Sequence, residues 1–247
     1  MKPDLLQNLD IVRVEGADSC SLNDRVVVEK VFKLIINDAE PLAVSLSPQY
    51  LEEFLLGFLF SAGFIHGLKD LIDREIGLDY LKARLRLQAC GRPTLPTGCT
   101  GSPLPEVDLD RAPLLPAPVP PAGVMLPAFA RFLASGELFQ ASGGTHAAAL
   151  VQHDELLCYA EDIGRHNAFD KVVGMALLRG HDISRLQLFS SGRISAEIVR
   201  KALRAGIRVL VSHSAVTSLA VELARRSNLT LLGFTRGRRF NVYSGQV

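Results

Sequence analysis

Prolines are concentrated in one segment of this chain, and that segment limits the folds that the chain can adopt. Ten of the thirteen prolines lie between Pro93 and Pro127. Because proline lacks an amide donor and fixes φ, such a run opposes both helix and sheet. We therefore predict two folded parts, residues 1–90 and 125–247, joined by an extended linker over residues 91–124.

The part before the linker has the pattern of a small α+β domain. β-Branched residues dominate 26–37 (VVVEKVFKLIIN), and residues 80–88 (YLKARLRLQ) alternate apolar with basic side chains, so both ranges predict strands. Between them, apolar residues recur at three- and four-residue spacing from Leu51 to Leu59, which predicts a helix capped by Ser47. The apolar run 54–65 is shorter than the roughly 20 residues that cross a bilayer. It predicts a buried helix, and no membrane partner is expected.

The part after the linker alternates strands with helices. Strands that alternate with helices of about ten residues favour a largely parallel, three-layer α/β sheet. The predicted fold class is therefore α/β for residues 125–247, with a smaller α+β domain in front. The strands are predicted at 138–152, 155–159, 186–189, 207–211, 229–234 and 240–243, and the helices at 126–135, 167–178, 195–205 and 217–226.

Composition and cysteine usage indicate an ordinary globular protein in a reducing compartment. Hydrophobic residues make up 48% of the sequence and charged residues 21%, a balance that is typical of soluble domains. The four cysteines lie far apart and no charged-then-apolar leader precedes them, so a cytoplasmic location is expected. The formal net charge is +1, and nucleic acid is not among the expected partners. The cysteines are Cys20, Cys90, Cys99 and Cys158.

Two loops after predicted strands suggest an anion site. Ligands of open α/β sheets collect beyond the carboxyl ends of the strands, where helix N-termini favour anions. Serines follow two of the predicted strands, together with an arginine in the first loop and a histidine in the second, and three arginines follow a third strand. Arginine binds phosphate oxygens bidentately, so these residues together suit a phosphate-bearing ligand. Either loop could also serve only as a helix cap. The residues concerned are Ser191, Arg193, Ser212, His213, Arg236, Arg238 and Arg239.

Two further segments, 141–148 (ASGGTHAA) and 161–171 (EDIGRHNAFDK), combine glycine with histidine. Paired glycines allow close backbone approach, so Gly144, His146 and His166 are candidate ligand-binding residues, although a lone histidine can also be structural. Asp170 and Lys171 could pair with each other or face solvent.

Cys99 is the candidate nucleophile, because TGCTGS at 97–102 has the composition of an exposed loop, whereas Cys158 in LLCYA suits a buried strand. No second cysteine or histidine lies at zinc-binding spacing from Cys99, so no metal ligands are predicted.

Five segments in order resemble the FdhD family, over roughly Arg25 to Gly245. The resemblance implies a homodimeric accessory protein of formate dehydrogenase whose second domain is similar to the cytidine deaminase fold. It implies that Cys99 accepts persulfide sulfur from a cysteine desulfurase and passes it to the molybdenum-bis(molybdopterin guanine dinucleotide) cofactor. It also implies that the stretch Phe234, Thr235, Arg236, Gly237, Arg238 and Arg239 contacts this cofactor. The segments are SPQYLEEFLLGFLFSAGFI, GGTHAAAL, EDIGRHNAFDKVVGMAL, SSGRISAEIVRKALRAGI and AVTSLAVELARRSNLTLLGFTRGRRFNVYSG.

One departure from the family pattern leaves a second function open. Family loops commonly carry Cys-x-x-Cys, but here the second position is Ser102, which cannot hold sulfane sulfur. The chain could be a sulfurtransferase-like carrier that uses Cys99 alone, or a chaperone that binds the molybdenum cofactor without transferring sulfur. Deaminase chemistry is not expected, because a zinc deaminase needs His-x-Glu and Pro-Cys-x-x-Cys elements, whereas His146 is followed by Ala147 and Ala148 and the sequence contains no Cys-x-x-Cys.

Overall fold

A computed structural model of the chain describes residues 4–86 and 114–246. Cys90, Cys99 and Ser102 lie outside the described residues, as does most of the segment predicted as a linker. Helix α2 begins at Ala122, inside the range predicted as linker. The domain boundaries themselves stay a prediction.

The N-terminal part combines a two-stranded hairpin with a four-stranded sheet in the order β4-β3-β6-β5. The predicted strand at 26–37 is wrong as one strand: the chain leaves β2 at Val27 and re-enters β3 at Lys30, in a different sheet. The strand predicted from residue 80 is confirmed over β6. The elements are β1 (Leu6–Glu15), β2 (Asp18–Val27), β3 (Lys30–Ile36), β4 (Leu42–Leu46), α1 (Leu51–Ser61), β5 (Leu71–Ile76) and β6 (Tyr80–Leu85).

Helix α1 is the predicted buried helix, but its predicted cap is wrong. The helix begins at Leu51, after Tyr50 in a left-handed conformation (φ 55°), and no side chain caps it. The Ser47 hydroxyl is buried and donates to Asp162 Oδ2 at 3.0 Å instead. Phe54, Leu55 and Leu59 of α1 pack against one face of the four-stranded sheet.

The C-terminal part is a six-stranded sheet in the order β12-β11-β10-β9-β7-β8. The prediction of a largely parallel sheet is wrong: β9, β10 and β11 are parallel, but β7, β8 and β12 each run antiparallel to their neighbours. The predicted strand at 138–152 is also wrong at its start, which forms α3. The elements are α2 (Ala122–Ala134), α3 (Glu137–Ser142), β7 (His146–Gln152), β8 (Glu155–Asp162), α4 (Arg165–Leu178), β9 (Gln187–Ser190), α5 (Ala196–Ala205), β10 (Val209–Ser212), α6 (Ser218–Arg226), β11 (Thr230–Arg236) and β12 (Arg239–Ser244).

The predicted three layers are present around this sheet. On one face, strand residues such as Leu150, Leu188 and Leu210 pack under α4, α5 and α6. On the other face, Phe189 and its neighbours pack under Phe129 and Phe132 of α2. Because successive strand residues point to opposite faces, these short buried strands are apolar on both sides.

Helices α1 and α4 connect the two sheets through a crossing that only glycine permits. A Cβ on Gly57 would overlap the carbonyl oxygen of Asp170, and a Cβ on Gly174 would overlap that of Glu53. Each helix therefore contributes a glycine at the point where the other backbone passes. The crossing holds the start of α4, which carries candidate site residues, against the N-terminal part.

Candidate anion-binding site

The candidate site lies along one edge of the six-stranded sheet. The parallel strands β9, β10 and β11 end at this edge, and antiparallel β7 begins there with His146. The prediction that the loops after β9 and β10 and the turn after β11 share one edge is therefore confirmed by the strand directions.

Hydrogen bonds between the loops fix their shape and use the predicted serines. The Ser191 hydroxyl accepts from Ala147 N at 2.9 Å, and the Ser212 hydroxyl donates to the Gly192 carbonyl oxygen at 2.7 Å. The Ser212 oxygen also accepts from Ser214 N at 2.9 Å. These contacts favour a structural role for Ser191 and Ser212, whose hydrogen bonds hold the loops of this edge together.

Arginines project from this edge. Arg193, Arg236, Arg238 and Arg239 are exposed. Arg236 is held in place, because its Nε donates to the carbonyl oxygen of His213 at 3.2 Å and its guanidinium lies 5.7 Å from the centre of the Phe234 ring. Phe234 has a left-handed φ of 51° and Gly237 a φ of 56°. The β11–β12 turn thereby presents guanidinium groups to solvent.

Two half-buried histidines lie among the arginines of this edge. Burial lowers the pKa of His146, and the Arg165 and Arg193 guanidinium groups lower it further. The pKa of His213 is lowered by burial and then by Arg236. An imidazole whose pKa is lowered by burial and by neighbouring cations stays neutral at physiological pH. The edge therefore offers cations for an anion beside neutral imidazoles.

His166 differs from the other two histidines. It is buried, and its Nε2 lies 3.5 Å from Glu197 Oε2, between α4 and α5. Burial, with Lys201 and Arg165 next, lowers the pKa of His166 to about 2, while burial raises the pKa of Glu197. Neither ring nitrogen of His166 has a hydrogen-bond partner among the described residues, and its role in ligand binding stays a prediction.

The close approach predicted at Gly144 is to the hairpin of the same chain and not to a ligand. A Cβ at this position would lie 2.8 Å from Cγ1 of Val27 in β2. The paired glycines thus let α3 and the hairpin meet, and His146 is the member of this segment that reaches the sheet edge.

The segment 161–171 contains a buried polar network that the sequence did not indicate. Lys171 Nζ lies 2.6 Å from Asp162 Oδ2 and donates to the Ser47 hydroxyl at 2.9 Å, and Asp162 also accepts from Asn167 at 2.8 Å. Asp170 pairs with Lys201 at 2.5 Å. Asp170 and Lys171 are both buried and pair with other residues, so neither of the predicted alternatives is right.

Other features of the described residues lie away from this edge. A cleft of about 610 Å³ lies at the opposite edge, where β11 begins and β12 ends, and includes Arg225, Thr230 and Tyr243.

Residues 4–86 and 114–246 contain no group of three or more histidine, cysteine or acidic side chains that could hold a metal ion. None of the helices in these ranges has the length and apolar character needed to cross a membrane.

The fold and this edge define a mixed α/β protein with an electropositive strand-end site. The sequence matches the FdhD/NarQ family over residues 27–247, and the chain belongs to that family. It is 31% identical over 261 residues to the sulfur carrier protein FdhD of Staphylococcus haemolyticus, with 99% of this chain and 97% of the relative covered. It is 32% identical to the protein of the same name from Bacillus subtilis, with 95% and 94% covered.

Two further comparisons extend this finding. The sulfur carrier protein FdhD of Methanothermobacter thermautotrophicus is 32% identical, with 97% of each chain covered. A crystal structure described as that of a formate dehydrogenase accessory protein from Desulfotalea psychrophila superposes with a TM-score of 0.83 at 26% identity, with 98% of both chains covered. The fold described above is thus shared along nearly the whole chain.

Proposed function

We propose that this protein is a sulfur carrier that serves formate dehydrogenase. Cys99 receives a persulfide sulfur from a cysteine desulfurase and delivers it to the molybdenum-bis(molybdopterin guanine dinucleotide) cofactor, which is the substrate. Family membership supports this function. The observation in the structure that carries it is the group of exposed arginines at the strand-end edge, Arg193, Arg236, Arg238 and Arg239.

The edge suits a pyrophosphate-linked cofactor. Guanidinium groups form charge-assisted, bidentate hydrogen bonds with phosphate oxygens, and Arg236 is already oriented by His213 and Phe234. We propose that the turn 234–239 binds the guanine nucleotide end. We further propose a homodimer in the cytoplasm, with a second domain of the cytidine deaminase fold.

The first sulfur transfer is a thiol–persulfide exchange. The Cys99 thiolate attacks the terminal sulfur of the desulfurase persulfide, the S–S bond there breaks, and the desulfurase thiolate leaves. Because Ser102 replaces a second thiol, the residue at this position cannot attack the new persulfide and release sulfide. The sulfur then stays on Cys99 until the cofactor accepts it.

The function is tested by replacing Cys99 with alanine. Desulfurase, cysteine and the protein are incubated together, and the bound sulfur is measured by mass spectrometry and by activation of formate dehydrogenase. We expect Cys99→Ala to lose the added sulfur mass and the activation, because the carrier atom is gone. Cys20→Ala, at an exposed cysteine in β2, is the matched control and should behave as the parent. Sulfur loading and activation by Cys99→Ala at the parental level would reject the proposal.

Removal of three arginine charges tests the anion site. We expect the combined variant Arg236→Ala, Arg238→Ala, Arg239→Ala to weaken binding of guanosine diphosphate by about tenfold or more, because each lost guanidinium removes a charge-assisted contact. Its affinity should also depend less on salt than that of the parent. Isothermal titration calorimetry at two salt concentrations measures both.

The control for this variant is Arg185→Ala with Arg208→Ala. These residues precede β9 and β10, at the opposite edge of the sheet, where Arg185 is exposed and Arg208 is half-buried. The control should keep the parental affinity. Equal affinities for the parent and the triple variant would place the nucleotide elsewhere.

A second candidate function is a chaperone that binds the cofactor and carries no sulfur. Ser102 in place of the second loop cysteine favours it. It requires guanine nucleotide binding with no persulfide on Cys99 after incubation with the desulfurase. The mass measurement described for Cys99 separates the two functions directly.

A further inference from the structure

We propose that the facing starts of helices α4 and α5 form a second anion site, which takes a tetrahedral oxyanion that carries a proton, such as hydrogen phosphate or a phosphate monoester. Glu197 is the specificity-determining residue of this site, because its carboxylate accepts that proton and repels an oxyanion without one. The site is additional to the proposed function, and it involves neither the sulfur transfer nor the turn 234–239.

The two helix starts lie next to each other. His166 is the second residue of α4, and Glu197 is the second residue of α5. His166 Nε2 lies 3.5 Å from Glu197 Oε2, so the first turns of the two helices are adjacent. Gly192, in the loop before α5, permits this approach, because a Cβ there would lie 3.0 Å from Cβ of Arg165 at the start of α4.

Both helix starts favour an anion. Helix α4 has 14 residues and α5 has 10, and no side chain of the described residues caps either helix at Gly164 or Ser195. The first amides of a helix have no acceptor within the helix, and the helix dipole makes this end positive, so anions bind there. Arg165 begins α4 and the exposed Arg193 lies in the loop before α5, and both add positive charge.

Four buried polar atoms between the helix starts indicate that a ligand completes this site. His166 is only 7% exposed, and its Nδ1 and Nε2, the Ser195 hydroxyl and Glu197 Oε1 are buried without a hydrogen-bond partner among the described residues. Buried polar groups of native proteins are nearly always hydrogen-bonded. Ser195 and Glu197 are half-buried as whole residues, so a small solute can reach these atoms from the surface.

A protonated oxyanion supplies both kinds of partner that these atoms need. Its oxygens accept from the helix amides, from the Ser195 hydroxyl and from the N–H of the His166 imidazole, and its O–H group donates to Glu197. Hydrogen phosphate and phosphate monoesters can keep such a proton near neutral pH, whereas sulfate has none. Sulfate would place an oxygen lone pair against the Glu197 carboxylate, and an unpaired charge of this kind is a common way to reject a wrong ligand.

Calorimetric titration of the full chain with inorganic phosphate and with sulfate tests this site. At neutral pH the parent is expected to bind phosphate about tenfold or more tightly than sulfate, because sulfate leaves the Glu197 carboxylate unsatisfied. Dimethyl phosphate, which has no acidic proton, should not bind. Methyl phosphate distinguishes two sources of the ligand: it binds if the site takes an ester, and only inorganic phosphate binds if the site takes the free ion.

Two variants assign the selectivity to named residues. Glu197→Gln is expected to bind phosphate and sulfate with similar affinity, because the amide can donate to either ion. Ser195→Ala should weaken phosphate binding by about fivefold, the loss of one hydrogen bond, and should unfold in urea as the parent does, because its hydroxyl has no partner among the described residues. Glu222→Gln, at an exposed position of α6, is the control and should keep the parental preference for phosphate.

Four results would overturn the proposal. They are no phosphate binding by the parent, equal affinities of the parent for phosphate and sulfate, a phosphate preference that survives in Glu197→Gln, and parental phosphate affinity in Ser195→Ala. The combined variant Arg236→Ala, Arg238→Ala, Arg239→Ala separates this site from the proposed nucleotide site. It should keep the preference for phosphate over sulfate, and loss of that preference would place the phosphate at the turn instead.

Discussion

Replacing Gly57 by alanine is expected to destabilise the protein by about 3 kcal/mol, the upper part of the usual range for overpacked sites. Gly57 lies where α1 crosses α4, and a Cβ there would overlap the carbonyl oxygen of Asp170 and lie 2.8 Å from the backbone nitrogen of Gly174. Both obstacles are backbone atoms, so no side-chain rotation relieves them. The helices must move apart, which would strain the buried Asp170–Lys201 pair. Urea unfolding followed by circular dichroism measures the loss.

Two variants control for the substitution itself. Gly174→Ala meets the carbonyl oxygen of Glu53 at the same crossing and should destabilise the protein to a similar extent. Gly123→Ala is the opposite case, because this glycine lies in α2 with no atom within 4 Å of its added carbon. Alanine should stabilise that helix by up to about 1 kcal/mol. If Gly57→Ala were as stable as Gly123→Ala, the close crossing would not exist.

Local patterns predicted the elements near the site well. The helices α4, α5 and α6 and the strands β8 to β12 lie within a few residues of their predicted ranges, because α5 and α6 have an amphipathic helical period and the buried strands are short apolar runs bounded by turn residues. The rule that ligands collect at the carboxyl ends of strands then placed Arg193, His213 and Arg236 at one edge. His146 also lies at this edge, because β7 runs antiparallel to β9 and begins where β9 ends. The pattern of apolar residues does not reveal the direction of a strand, so the sequence could not predict this position.

The wrong predictions have physical causes that act over long sequence distances. Residues 138–142, predicted as the start of a strand, are helical, because the Glu161 carboxylate accepts from the backbone nitrogens of Leu138 and Phe139 at 3.0 and 2.8 Å. This cap comes from a residue more than twenty positions later. Strand pairing also depends on distant residues, because β3 pairs in parallel with β6, and the whole of α1 lies between them in the sequence. Neither contact can be derived from the local sequence.

Some polar residues near the site hold the two sheets together. Ser47 was predicted as a helix cap, but its hydroxyl and its backbone nitrogen both donate to Asp162 Oδ2, at 3.0 and 3.1 Å. Asn167 donates to the carbonyl oxygen of Ser45 at 2.9 Å. Asp162 and Asn167 flank Arg165 and His166, so the start of α4 is fixed by the N-terminal part. The N-terminal part thereby contributes to the shape of the candidate site.

Replacing Lys171 by methionine is expected to destabilise the protein by about 3–5 kcal/mol, the cost of leaving a buried charge without its partner. Methionine keeps the length of the side chain but leaves the fully buried Asp162 carboxylate without the ammonium group that lies 2.6 Å from it. Lys82→Met, which breaks the partly exposed pair with Asp38, should destabilise by about 1 kcal/mol or less. The double variant Lys171→Met, Asp162→Asn should be less destabilised than the sum of its two single variants, because the two sites are coupled. Urea unfolding of all five proteins tests this, and equal losses for Lys171→Met and Lys82→Met would show that the buried pair is no more important than a surface pair.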